Sequence, residues 1–153
     1  MTLHFAYGSN MDRAGMARRC RNATFLGRAI LGDHRFLITT DGYASVQRAP
    51  GEEVHGVLWR LTPRDLAALN VYEGLDSGLY SRAMMPVRSD ERLVSALVYI
   101  GHSRSPGKPK PGYMEAVVDA ARAVNLPFAY LQQLLRWSPS WHGARQTETG
   151  DVM

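Results

Sequence analysis

The sequence predicts a mixed α+β domain, on three observations. Short runs of β-forming residues, punctuated by glycine, occur at 2–7, across 23–61 and across 79–101. A well-delimited helical stretch separates these two regions, and two more follow between 113 and 135. A chain of 153 residues that is 45% apolar and 21% charged has the size and composition of one globular domain with a real core.

The elements follow in order. Residues 2–7 form a strand that empties through Gly8-Ser9-Asn10 into a helical segment at 12–20, with Asn10 or Asp12 as its cap. Such a strand-turn-helix leaves amides near a helix N-terminus, where glycine lets a ligand reach the main chain and an anion is favoured. Residues 23–40 carry two apolar runs broken by Gly27 and Gly32 and read as bent strands or a hairpin. A further strand at 42–46 ends at a turn signalled by Pro50-Gly51, and 54–61 alternates as the next strand.

The clearest helix comes next. Thr62 is an N-cap, Pro63 fits the first helical position, and Asp65 stands where a capping box wants an acid. Leu66, Leu69 and Val71 supply its inward face, and Gly74 is a natural residue just past its end. Strands are expected at 79–88 and 93–101, joined through Ser89-Asp90-Glu91. The Pro- and Gly-rich segment 102–112 reads as an exposed or site-covering loop. Tyr113 opens an amphipathic helix, and Pro127 starts another. The expected domain is 1–137, with 138–153 a loosely ordered tail.

Charge and composition remove several function classes. Lysine occurs only at Lys108 and Lys110, and the arginines are spread along the chain with no aromatic-interleaved basic motif, so no nucleic-acid partner is expected. No apolar run approaches the ~18 residues needed to cross a bilayer, so no membrane partner is expected either. The first residues show no basic segment followed by an apolar one, and the expected location is the cytoplasm. Cys20 is the sole cysteine and reads as buried. His4, His34, His55, His102 and His142 lack metal-ligand spacing, so no metal and no cofactor is expected. Ser9 lacks the glycine pattern of a nucleophile elbow.

One charged residue is out of place. Glu73 falls at a helix C-terminus, where partial negative charge disfavours an ionised carboxylate and raises its pKa. A carboxylate of raised pKa is suited to act as general base and, once protonated, as general acid. The competing reading is a Glu73 that points into solvent.

Phe5-Ala6-Tyr7-Gly8-Ser9-Asn10, then residues 51–59, then Tyr72-Glu73-Gly74-Leu75-Asp76-Ser77-Gly78-Leu79-Tyr80 occur in the order and spacing of gamma-glutamylcyclotransferases. The likeness extends to Pro111-Gly112-Tyr113 and Leu126-Pro127, and so spans most of the chain short of its last residues. The sequence therefore resembles that family. The resemblance implies an α+β fold built on a small mixed, partly closed β-barrel with flanking helices. It implies an enzyme that cyclises a gamma-glutamyl amino acid or amine to 5-oxoproline and releases the amine. By the same resemblance Glu73 is the catalytic residue, and Phe5, Ala6, Tyr7, Gly8, Ser9, Asn10, Tyr80 and Tyr113 bind substrate. The implied partner is a small gamma-glutamyl molecule, with a monomer and a homodimer equally compatible. Two other readings remain: the same chemistry on a carrier-tethered substrate, with arginines as docking face, and a non-catalytic binding module. Retention of Glu73 argues against the second, because a second negative charge would oppose binding of a carboxylate.

Overall fold

The computed structural model describes residues 1–139. Its strands are β1 (Thr2–Ala6), β2 (Thr24–Ile38), β3 (Ala44–Leu61), β4 (Tyr80–Ser89) and β5 (Arg92–Gly101). Its helices are α1 (Arg13–Arg19), α2 (Pro63–Tyr72), α3 (Tyr113–Ala123) and α4 (Phe128–Leu135). The strands close into a barrel in the order β1-β3-β2-β4-β5, as an α+β barrel with flanking helices should. Two long antiparallel hairpins, β2–β3 and β4–β5, make most of the wall. Closure rests on the Ile30–Arg88 pair and on the parallel His4–Leu97 pair.

The first hairpin departs from the expectation. Residues 42–46 and 54–61 are not separate strands; β3 runs unbroken through Pro50-Gly51. The register slips between Gly32 and His34, so that Asp33 alone faces residues 49–52. The Asp33 carboxylate accepts the Gly51 N–H at 2.9 Å, with Gly51 at φ +84. The turn signal is real, but pairing with β2 on both sides absorbs it as a bulge. Likewise the two apolar runs of 23–40 belong to one strand, β2 (Thr24–Ile38), with register shifts at Phe25/Gly27 and Gly32/His34. The β4–β5 turn has both central residues, Asp90 and Glu91, at positive φ, the geometry of a tight two-residue hairpin.

α2 carries its full capping box: Thr62 Oγ1 accepts the Asp65 N–H at 3.1 Å, and Asp65 Oδ2 accepts the Thr62 N–H at 3.1 Å. Leu69 is fully buried, but Val71 is 80% exposed rather than inward. Two positions beyond Leu69 lie on the opposite face of a helix, whereas three or four positions bring Tyr72 and Glu73 back round. The helix thus ends with Glu73 on the protein side, and Gly74 at φ +68 turns the chain away.

The core joins barrel residues such as Phe5, Leu31, Val54, Val57 and Val98 to Met11, Met16, Met114 and Val117 beside it. Cys20 is buried, its thiol donating to the Asp65 carbonyl at 3.4 Å, and burial pushes its pKa up to about 11. Segment 102–112 is a strap across the β2–β3 turn: Gly107 N–H donates to Ile38, Thr40 N–H to Ser105, and Lys110 N–H to Gly42. Ser138, assigned to the loose tail, is buried and donates its N–H to Leu135; residues 140–153 of that tail lie outside the described residues. Among the described residues no helix is long and apolar enough to cross a membrane.

Candidate active site

β1 delivers its last residues into a small cavity under the ends of α2 and α3. Its lining is Phe5 through Asn10 with Glu73, Tyr80 and Tyr113, the residues the sequence nominates. The cavity adds His4, Ala44 and Tyr99, which sequence reasoning missed. A larger groove beside α4, walled by Phe36, Lys108, Tyr130 and Trp137, contains none of the nominated residues.

The loop after β1 is shaped by its turn. Met11 and Asp12 return their N–H groups to Gly8 and Ser9 at 3.1 Å, a 3-10 turn that precedes α1. Asp12 then caps α1, its carboxylate accepting the Gly15 N–H at 3.2 Å. The first turn of α1 is therefore occupied by the chain's own anion, and an incoming anion is left the loop itself. Gly8 is required by a close approach: a Cβ there would stand 3.0 Å from the Tyr113 hydroxyl and 3.3 Å from the Ala44 methyl.

Asn10 is freed from capping and held from three sides. Its carbonyl accepts the Trp59 indole N–H at 2.9 Å, its Oδ1 accepts from Arg19 at 2.8 Å, and its Nδ2 donates to Glu73 Oε2 at 2.7 Å. Glu73 is half-buried and does not point freely into solvent. Its pKa is pushed from 4.5 up to about 7, chiefly because burial desolvates the charge; the Asn10 bond and the Arg19 charge pull it back. The raised pKa is as the sequence argues, but its leading cause is burial.

The tyrosine hydroxyls are sorted by what their protons do. Tyr7 donates to the Tyr99 carbonyl at 2.5 Å, and Tyr80 donates to the Ala44 carbonyl. Tyr113 instead accepts the Ala44 N–H at 3.2 Å, and among the described residues its own proton has no acceptor. Burial raises the pKa of all three, and the Glu73 charge adds to this, so they stay protonated at neutral pH. Ser9 Oγ lies 3.3 Å from the Tyr72 hydroxyl.

The comparisons with known proteins bear on this arrangement. The model described as the AIG2-like family matches residues 53–134, more than half of the chain. The chain belongs to the AIG2-like family. Among proteins similar to it, one named gamma-glutamylcyclotransferase from Homo sapiens is 27% identical, covering 95% of this chain and 84% of that protein. Another of that name from Bos taurus is 28% identical, covering 99% and 87%. A solved gamma-glutamyl cyclotransferase superposes with a TM-score of 0.83 at 27% identity, covering 90% of this chain and 88% of that one.

Within this AIG2-like chain the missed residues had faint signals. Ala44 acts through its main chain, which no side chain announces. Tyr99 sits in an apolar strand and reads as core. Arg19 reads as a helix-end cation, the ordinary companion of a C-terminal turn.

Proposed function

We propose that this protein is a gamma-glutamylcyclotransferase whose general base and acid is Glu73. The observation that carries the reading is a half-buried carboxylate with a pKa near 7, facing a cavity lined by the 5–10 loop and three tyrosines. A carboxylate poised there exists in both protonation states at neutral pH, which is what a proton shuttle needs.

The substrate's α-amine gives a proton to Glu73 and attacks its own γ-carbonyl carbon, forming the ring C–N bond. Charge then develops on the carbonyl oxygen, for which main-chain amides of the 5–10 loop are suitable donors. Glu73 returns the proton to the departing nitrogen as the original amide bond breaks, yielding 5-oxoproline and a free amine. The attack is intramolecular, so a site that folds the glutamyl chain into a ring-like pose removes much of the barrier. Tyr113, whose proton is free, suits the substrate carboxylate as donor. Tyr80, whose proton is committed to Ala44, suits an ammonium as acceptor. The Tyr-Gly-Ser-Asn loop and the 74–80 segment favour a gamma-glutamyl amino acid as substrate. A cytoplasmic place in the turnover of glutathione-related gamma-glutamyl compounds belongs to the same reading.

The test is incubation with a panel of gamma-glutamyl amino acids and amines, scoring 5-oxoproline. Release from at least one is expected, and none from any would overturn the assignment. Gly8→Val should abolish release, since a branched side chain would collide with Tyr113 and Ala44. Wild-type rates from that variant would remove the loop from the mechanism.

A further inference from the structure

Behind the cavity wall stands a residue that does not line the cavity yet is joined to Glu73. Arg19, the last residue of α1, folds back so that its Nη2 donates to Asn10 Oδ1 at 2.8 Å, and Asn10 Nδ2 donates to Glu73 Oε2 at 2.7 Å. The guanidinium carbon lies 4.1 Å from the ring centroid of Tyr72, the neighbour of Glu73 in sequence. Space for this fold-back comes from Gly15, where a Cβ would stand 3.0 Å from Arg19 Nη1. Among the described residues the buried Arg19 Nε has no hydrogen-bond partner, so the side chain is placed for its far end and not for its own solvation.

A guanidinium has donors only and keeps its proton. Asn10 must therefore turn its oxygen toward Arg19, which leaves its NH2 for Glu73. The flipped amide, whose oxygen could accept from a protonated Glu73, would set NH2 against guanidinium and is excluded.

We propose that Arg19 is a positioning residue: by fixing the Asn10 amide it keeps Glu73 facing a donor, aimed into the cavity and biased toward its ionised, proton-accepting form. The role of Glu73 as base is taken from the function proposed above. Burial favours the protonated carboxyl, and the Asn10 bond and the Arg19 charge oppose it. The other groups facing Glu73 are Tyr7 after β1, Tyr80 on β4, Tyr99 on β5 and Tyr113 on α3; burial raises all four pKa values, so none titrates alongside it near neutrality.

The test uses Arg19→Met in the full chain, which keeps an aliphatic stem against Tyr72 and removes charge and donors. Glu73 is titrated in the substrate-free protein by carbon-detected NMR of its carboxyl, and kcat and KM are measured across pH. The carboxyl midpoint should move to higher pH than in wild type, and the acid limb of the rate profile should move with it. Fixed geometry lost behind a catalytic group costs on the order of tenfold to hundredfold, so kcat should fall by that amount. KM should stay within about twofold, because Arg19 does not reach substrate. Adding Asn10→Ala to Arg19→Met should cost little more than Asn10→Ala alone, since both act on one link. A folded Arg19→Met protein with unchanged midpoint and kcat would overturn the proposal; lowered melting with both unchanged would mark Arg19 as merely structural. If that variant does not fold, Arg19→Gln carries the same test with the same overturning result. A wild-type chain that releases no 5-oxoproline would sink the catalytic reading, and the carboxyl titration would then judge the Arg19 link by itself.

Discussion

Helix α2 carries a carboxylate at each end, and the fold treats the two in opposite ways. Asp65, at the N-terminal end, is 3% exposed and accepts main-chain N–H groups from Asn22 at 3.2 Å and Thr62 at 3.1 Å. The partial positive charge of that helix end adds to this. Glu73, at the C-terminal end, has Asn10 as its side-chain donor, sits at the negative end of the helix, and is pushed up to about pKa 7. A carboxylate that accepts main-chain donors from two segments contributes stability by tying them together. One starved of donors at a cavity wall is costly to ionise and for that reason ready to exchange a proton. The same helix thus holds one carboxylate among main-chain donors and the other at a cavity wall with a raised pKa.

The largest expected effect breaks the reactive end. Glu73→Gln keeps the shape and the hydrogen-bonding capacity but cannot take the α-amine proton. General acid–base catalysis contributes about 10²–10⁴-fold, and 5-oxoproline release should fall by at least that range while circular dichroism stays that of wild type. Near wild-type turnover would exclude Glu73 and direct attention to Asp76 and Glu53.

The converse change, Asp65→Ala, should leave turnover per folded molecule unaltered. It removes the acceptor of two part-buried main-chain hydrogen bonds, and the loss of stability should be about 1–3 kcal/mol in chemical denaturation. A drop in kcat with unchanged stability would reverse the contrast.

A smaller effect distinguishes the two ends by pH. Folding raises the Glu73 pKa from 4.5 to about 7, so the folded chain holds that proton over a range where the unfolded chain has released it. The stability from this group is fully present below pH 4.5 and is lost as pH rises through 7. The melting temperature of Glu73→Gln should therefore gain on wild type between those values and run parallel above them. A constant gap across that window would refute the burial of an ionisable Glu73. The smallest expected effect is none: a chelator should leave turnover unchanged, because a carboxylate shuttle needs no Lewis acid, and zinc-restored activity would contradict it.

What could be read from the sequence follows how local each signal is. The start of α2 was legible because Thr62, Pro63 and Asp65 act on one another within four positions. Of the nominated residues, the 5–10 loop, Glu73, Tyr80 and Tyr113 are brought by the fold into one cavity. Pro50-Gly51 misled because its outcome depends on Asp33 in the partner strand. Ala44 was invisible because its N–H and carbonyl, not its methyl, hold Tyr113 and Tyr80. For Glu73 the direction of the pKa shift came from the helix end, but its main cause, burial, is a property of packing that no local pattern encodes.

The parallel pairing of His4 with Leu97 sets a timetable for synthesis. β1 leaves the ribosome first, and its β5 neighbour follows only after some ninety more residues have been made. Tyr113, which completes the cavity, comes later still. Contacts that close such long loops form slowly, since chain entropy must be overcome before the pairing is rewarded. A nascent chain halted before β5 has β1 held by β3 alone, with an open edge where the barrel seam belongs. The cavity is therefore complete only once Tyr113 has joined it, and a chain halted earlier lacks that wall.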